Sequence, residues 1–161
     1  MRSARLLGIS VAGGAVLIIS AHLLAARVPA SEPSDQRPAD SAVAGVFEGR
    51  TPCGQVATEF TGFPAANCEK IKWEITLFRD RASGEPAGYQ YRGTRTSRSG
   101  AWSIRRGAAH DPNATIYQLH YEDDRRLSLL PVGKDVLLLL DDDLHVLAGD
   151  ASWSYTLNRR R

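Results

Sequence analysis

The sequence predicts an all-β fold, a small antiparallel meander closed into a barrel of about eight strands. Three observations carry this. Past Gly45 no stretch keeps apolar residues at i, i+3 and i+4 over several turns, whereas alternation with a period of two recurs. The alternating stretches are short, roughly 10–15 residues apart, and separated by turn residues. The length of 161 residues suits one domain. Outside the cytoplasm, closure removes the free strand edges of an open sheet.

The strands follow in order. Residues 44–50 (AGVFEGR) form a short first strand bounded by glycines. Residues 72–79 place Trp73, Ile75 and Leu77 on one face and Glu74 and Thr76 on the other. The turn SGEPAG leads into residues 89–94, where Tyr89 and Tyr91 share a side. Residues 100–105 (GAWSIR) direct Trp102 and Ile104 together, and residues 115–121 bring Tyr117, Leu119 and Tyr121 into register. Glu122-Asp123-Asp124 turns into residues 126–132, and Gly133-Lys134-Asp135 turns into residues 136–140. Asp141-Asp142-Asp143 turns into residues 144–147, and residues 151–158 close the chain with Trp153, Tyr155 and Leu157 inward. No helix is predicted between Gly45 and the end of the chain.

The N-terminus reads differently. Arg2 and Arg5 precede an almost wholly apolar run at residues 6–26, the pattern of an export signal. Its 21 residues exceed the usual signal core and match the ~20 that span a bilayer. Two readings stand: cleavage near Val28-Pro29-Ala30, or retention as an anchor helix in the inner membrane with a cytoplasmic N-terminus. Residues 31–44 (SEPSDQRPADSAVA) have little to bury and read as a flexible linker. The organisation is therefore 1–30 signal peptide or membrane anchor, 31–44 linker and 45–158 barrel. The folded part is expected in the periplasm or cell envelope, secreted or anchored to the inner membrane by residues 6–26.

Charge and motifs narrow the function. Without residues 1–30 the chain keeps 17 basic and 18 acidic side chains, which argues against a nucleic-acid partner. No Gly-x-Ser-x-Gly elbow, phosphate loop or HExxH pair is present, so no enzyme is predicted and no catalytic residue is named. His110, His120 and His145 are scattered without ligand spacing, so no metal residue is named and no cofactor is required. Arg159-Arg160-Arg161 reads as a solvated basic tail. The inward aromatics Trp73, Trp102, Tyr117 and Trp153 either fill the barrel or line a ligand cavity.

Cys53 and Cys68 are the only cysteines. In an oxidising compartment an even count points to a disulfide. Two thiolates also suit a soft metal such as Cu(I), or a redox-sensing pair. The intervening segment adds no His or Met to complete a metal site.

The order of signals resembles the N-terminal domain of the NlpE family, copper-homeostasis and adhesion lipoproteins of the bacterial envelope. Gly45-Val46-Phe47-Glu48-Gly49 is similar to that family's opening Gly-x-aromatic-x-Gly strand, and Thr51-Pro52-Cys53 to its Pro-Cys. Cys68-Glu69-Lys70-Ile71, the following strand, Gly100-Ala101-Trp102, Tyr117-Gln118-Leu119, the Leu137-Leu138-Leu139-Leu140-Asp141 run and Tyr155-Thr156-Leu157 continue the likeness over roughly residues 44–158. The resemblance implies a lipocalin-like barrel, an envelope location, and a role in copper tolerance or envelope-stress sensing. The chain departs from the family in two ways. Fourteen residues separate the cysteines where the family has Cys-x-x-Cys, and no lipidation cysteine is present.

Two functions follow as expectations. The first is a non-enzymatic envelope barrel that binds a small apolar ligand, an envelope protein or, with less support, copper. The alternative is a periplasmic inhibitor or interaction protein acting through the Cys53–Cys68 loop.

Overall fold

Nearly all the predicted strands are present, in order. The computed structural model describes residues 37–66 and 68–161; the stretch read as a signal peptide or membrane anchor and the first part of the stretch read as linker lie outside these residues. Among the described residues nine antiparallel strands make one sheet. These are β1 (Ser41–Thr51), β2 (Ile71–Asp80), β3 (Pro86–Arg92), β4 (Ser97–Gly100), β5 (Trp102–Arg106), β6 (Thr115–Tyr121), β7 (Arg125–Val132), β8 (Val136–Leu139) and β9 (Thr156–Arg159). A short helix, α1 (Gln55–Thr61), follows β1. Among the described residues no helix is long and apolar enough to cross a membrane.

The spatial order β4-β3-β2-β1-β9-β8-β7-β6-β5 is a meander rolled until its ends meet. First and last strands lie side by side, with Phe47 opposite Arg159 and Glu48 opposite Asn158. The roll is finished by β4 and β5, one stretch of chain that changes neighbours at Ala101. Gly100 sits opposite Tyr89 of β3, and Trp102 opposite Leu119 of β6. The His120 amide donates to the Ala101 carbonyl at 2.9 Å, and the Tyr89 hydroxyl donates to the His120 carbonyl at 3.1 Å. Counting the bent β4–β5 stretch once gives eight staves, the number whose interior side chains can fill or leave room for one small ligand.

That bend depends on Gly100. A Cβ there would stand 2.5 Å from the His120 carbonyl oxygen and 3.0 Å from the Tyr89 ring, and backbone cannot yield cheaply. Gly100→Ala is expected to cost about 1–3 kcal/mol, the usual range for overpacking. Thermal or urea unfolding measures it, and an unchanged midpoint would mean that the seam is slack.

Alternation decides what fills the barrel. Leu119, Leu127, Leu129, Leu137, Leu139 and Leu157 are all buried and form its waist. Trp73 and Trp102 are buried inward-facing residues, and their indole N–H groups donate to Thr51 Oγ1 at 2.9 Å and to the Phe78 carbonyl at 2.7 Å. A buried indole that is not paired would be costly. Tyr89 and Tyr91 are buried as well, and burial pushes both phenols above their ordinary pKa.

Four local expectations are corrected. β1 begins at Ser41, inside the stretch read as linker, because Ser41 to Val43 pair with Phe78 to Asp80. Residues 144–147 form no strand. They meet the sheet only through a Leu140–Val146 bridge, since Leu144 takes a left-handed turn at φ 65°. The last strand spans only Thr156–Arg159. Before it the chain is pinned by Asp150, whose carboxylate accepts the Ser152 and Trp153 amides at 2.8 and 2.7 Å. Such an Asx turn competes with strand pairing. The fourth correction is α1 itself.

Candidate functional site

The two ends of the barrel differ. One is plugged. After β1 the chain passes Cys53 and forms α1, which buries Ala57, Phe60 and Thr61. Their i, i+3, i+4 spacing gives the short helix one buried face, and Gly62, at φ 65°, supplies the left-handed residue that ends it. Phe60 is fully buried among aromatic rings. Its centroid lies 5.0 Å from Tyr121, 5.4 Å from Tyr91, 5.6 Å from Trp73 and 6.1 Å from Tyr89. Cys53 and Cys68 form a disulfide with Cα atoms 6.0 Å apart, closing the base of the loop that carries the helix. The exposed part of the loop includes Pro64, Ala65 and Ala66.

The other end is open. A cavity of about 260 Å³ enters the barrel there, over a floor of Phe47, Leu77, Trp102, Tyr117 and Leu137. Three cations line it, Arg79, Lys134 and Arg159, and no carboxylate does. β2 delivers Arg79 as the next inward residue after Leu77. Its guanidinium lies 5.0 Å over the Trp102 ring, and its Nη1 donates to the Gly84 carbonyl at 2.7 Å. Trp102 meets Tyr117 edge-on at 5.0 Å. Lys134 stands in the turn between β7 and β8. Neither Arg79 nor Lys134 has an ion-pair partner among the described residues.

Arg159 is held more firmly. It lies 4.9 Å over the Phe47 ring, donates to the Lys134 and Ala44 carbonyls at 2.7 and 3.0 Å, and faces Asp135 at 3.6 Å. Gly45 makes this possible, since a Cβ there would stand 2.7 Å from Arg159 Nη1 and from the Phe47 ring. The basic tail is therefore built into the structure. Arg159 enters the mouth, and Arg160 bridges Glu48 and Glu74 on the outside at 2.9 and 3.0 Å.

The sequence-derived aromatics separate into three settings. Trp73 belongs to the plugged end, Trp102 and Tyr117 line the mouth, and Trp153 is half-buried outside, under Lys70 at 5.0 Å. A wider groove of about 710 Å³ runs beside Trp153 over Glu48, Arg50, Lys72 and Glu74. Arg50 and Lys72 stand opposite each other there, with Glu48 and Glu74 on the same surface, and it is shallower than the mouth. The mouth is the better candidate because an enclosed apolar floor and unneutralised charge converge there.

No protein-family model, curated protein or solved structure matches this chain. Its chemistry must be read from its own residues. The disulfide engages both cysteine sulfurs. Among the described residues no three His, Cys, Asp or Glu side chains converge as metal ligands. Among the described residues the one close hydroxyl–imidazole pair, Ser103 Oγ with His120 Nε2 at 2.7 Å, lies on the outer face of the sheet. Sequence reasoning missed Arg79, Lys134 and Arg159. The only available signal was a cation in phase with inward apolar residues, as Arg79 is with Ile75 and Leu77.

Proposed function

We propose that this protein is a non-enzymatic binding module of the cell envelope that takes a small amphipathic anion in its open mouth. One observation carries the reading: an apolar floor that ends in three cations without a lining carboxylate. A ligand with an alkyl or aryl body and a carboxylate or phosphate head would cover Leu77, Trp102 and Leu137 and present its charge to Arg79 and Lys134. Guanidinium and ammonium groups favour such anions through charge-assisted hydrogen bonds. The size of the cavity fits. At ~30 Å³ per water molecule, 260 Å³ holds roughly nine waters, about the bulk of an eight-carbon acid.

The envelope part rests on the export-like N-terminus and on the disulfide, a feature of oxidising compartments. The copper role implied by the NlpE resemblance has less support, because the thiols that would bind Cu(I) are joined to each other. Partner capture through the Cys53–Cys68 loop draws on a segment whose helix faces inward, which leaves it a small exposed tip.

Octanoate is the probe. The full chain, ¹⁵N-labelled at tryptophan in zwitterionic lipid nanodiscs, gives indole signals that Trp102→Phe and Trp153→Phe assign. The Trp102 signal is expected to move saturably with octanoate while that of Trp153 stays. Ligand efficiencies for about ten heavy atoms put the dissociation constant on the order of 0.01–1 mM. Octanol, and the Arg79→Gln/Lys134→Gln double variant, are expected to bind at least about tenfold more weakly. Equal responses to acid and alcohol would overturn the anion reading.

A further inference from the structure

We propose that the mouth end of the barrel docks on an anionic lipid bilayer. Among the described residues four large apolar side chains are strongly exposed: Val43 at 46%, Ile104 at 42%, Val132 at 49% and Val146 at 52%. The first three lie on the mouth-end segments of β1, β5 and β7; only Val146 belongs to the plugged end. On two of these segments an exposed cation follows two residues later. Val132 precedes Lys134 at the tip of the β7–β8 turn, and Ile104 precedes Arg106 at the end of β5. An aliphatic side chain beside a long basic one suits the headgroup boundary, where the first enters the acyl layer and the second meets phosphate. Asp135, the acid of the β7–β8 turn, faces Arg159 at 3.6 Å, and Asp80 accepts the Ala82 and Ser83 amides of its own turn at 3.0 and 2.8 Å.

A bilayer, rather than a protein, is the occupant because of where the chain enters. β1 starts at Ser41 on the mouth end, so the apolar run at residues 6–26 is joined to the barrel at this rim through residues 27–40. A few aliphatics and cations bind membranes weakly alone, but tethering raises their effective concentration at the surface. The inference thus rests on residues 6–26 acting as a membrane segment. It does not require that the mouth hold a ligand.

The test uses the full chain and vesicles of phosphatidylcholine, alone or mixed with phosphatidylglycerol. A benzophenone amino acid replaces Val132, Ile104 or, as the control of like exposure at the plugged end, Val146. Photolysis is followed by counting lipid adducts, and the tryptophan indole spectrum of each variant checks its fold. With phosphatidylglycerol present, adducts at positions 132 and 104 are expected to exceed those at 146 at least fivefold. Added salt or Lys134→Glu with Arg106→Glu should lower that ratio, because exposed charges are screened. Equal labelling at both ends, or a ratio indifferent to phosphatidylglycerol, overturns the proposal. A chain that does not float with any vesicle overturns it too, and with it the membrane reading of residues 6–26. Octanoate binding at Trp102 is scored separately and can survive either failure.

Discussion

Phe60→Ala is expected to remove about 3–5 kcal/mol of stability, the range for truncating a fully buried aromatic residue. The ring has no exposed surface, and it is the hub of four aromatic contacts, with Trp73, Tyr89, Tyr91 and Tyr121. Its loss leaves a cavity that α1 can refill only by sliding inward. Ala57, the other apolar residue of that buried face, is too small to compensate. A domain of ordinary stability, about 5–15 kcal/mol, would then unfold with a urea midpoint lower by roughly 1 M or more. Gln55→Ala, on the exposed side of the same helix, should stay within about 0.5 kcal/mol. If Phe60→Ala left the midpoint in place, α1 would not be a plug, and the reading of a barrel closed at one end would fail. The mouth lies at the opposite end, so the response of Trp102 to octanoate should persist wherever the variant is folded.

Cys53→Ser with Cys68→Ser is expected to cost about 3 kcal/mol by the chain-entropy argument for a loop of about 15 residues. The loss should be local before it is global. The disulfide closes the base of the loop bearing α1, so amide exchange between residues 54 and 66 should accelerate most, while β6, β7 and β8 keep their protection. Uniform acceleration over the whole sheet would show instead that the disulfide holds the barrel and not the plug. Combined with Phe60→Ala the effects should not add. Both act on the same segment, and neighbours that share a structural unit couple by about 0.5–3 kcal/mol.

Period-two alternation at Trp73–Ile75–Leu77, Tyr89–Tyr91 and Tyr117–Leu119–Tyr121 revealed strands and inward faces together, because a strand has only two sides. The turns at Glu122-Asp123-Asp124 and Gly133-Lys134-Asp135 were equally readable from composition; Glu122, Asp123 and Gly133 take positive φ. Even with its glycine ending, α1 escaped notice. Seven residues make barely two turns, too few for helical periodicity to stand out from chance. Its helicity is conferred by the pocket that receives Phe60 and by the disulfide that sets the loop's ends. Residues 144–147 were misread for the converse reason. Leu144 and Val146 alternate around His145 as residues of true strands do, but the Asp141 turn takes them off the sheet.

The candidate site shows the same division. Trp102 and Tyr117 could be named in advance as lining or core, but nothing in their local sequence chose between them and Trp73. The choice depends on which end α1 fills. Arg159 looked like a solvated tail because terminal basic residues usually are one. Pairing with Phe47 across the closing seam turns it inward, a consequence of the first strand meeting the last.

By itself, then, the sequence determined the fold class, the order of most strands, most of the inward set of side chains and the pairing of its two cysteines as one of a few alternatives. Those properties follow from spacing along the chain. Tertiary structure decided which end is plugged, which aromatics remain at an open mouth, and which cations meet there. Arg79, Lys134 and Arg159 lie far apart in sequence, and only closure of the sheet brings them to one rim.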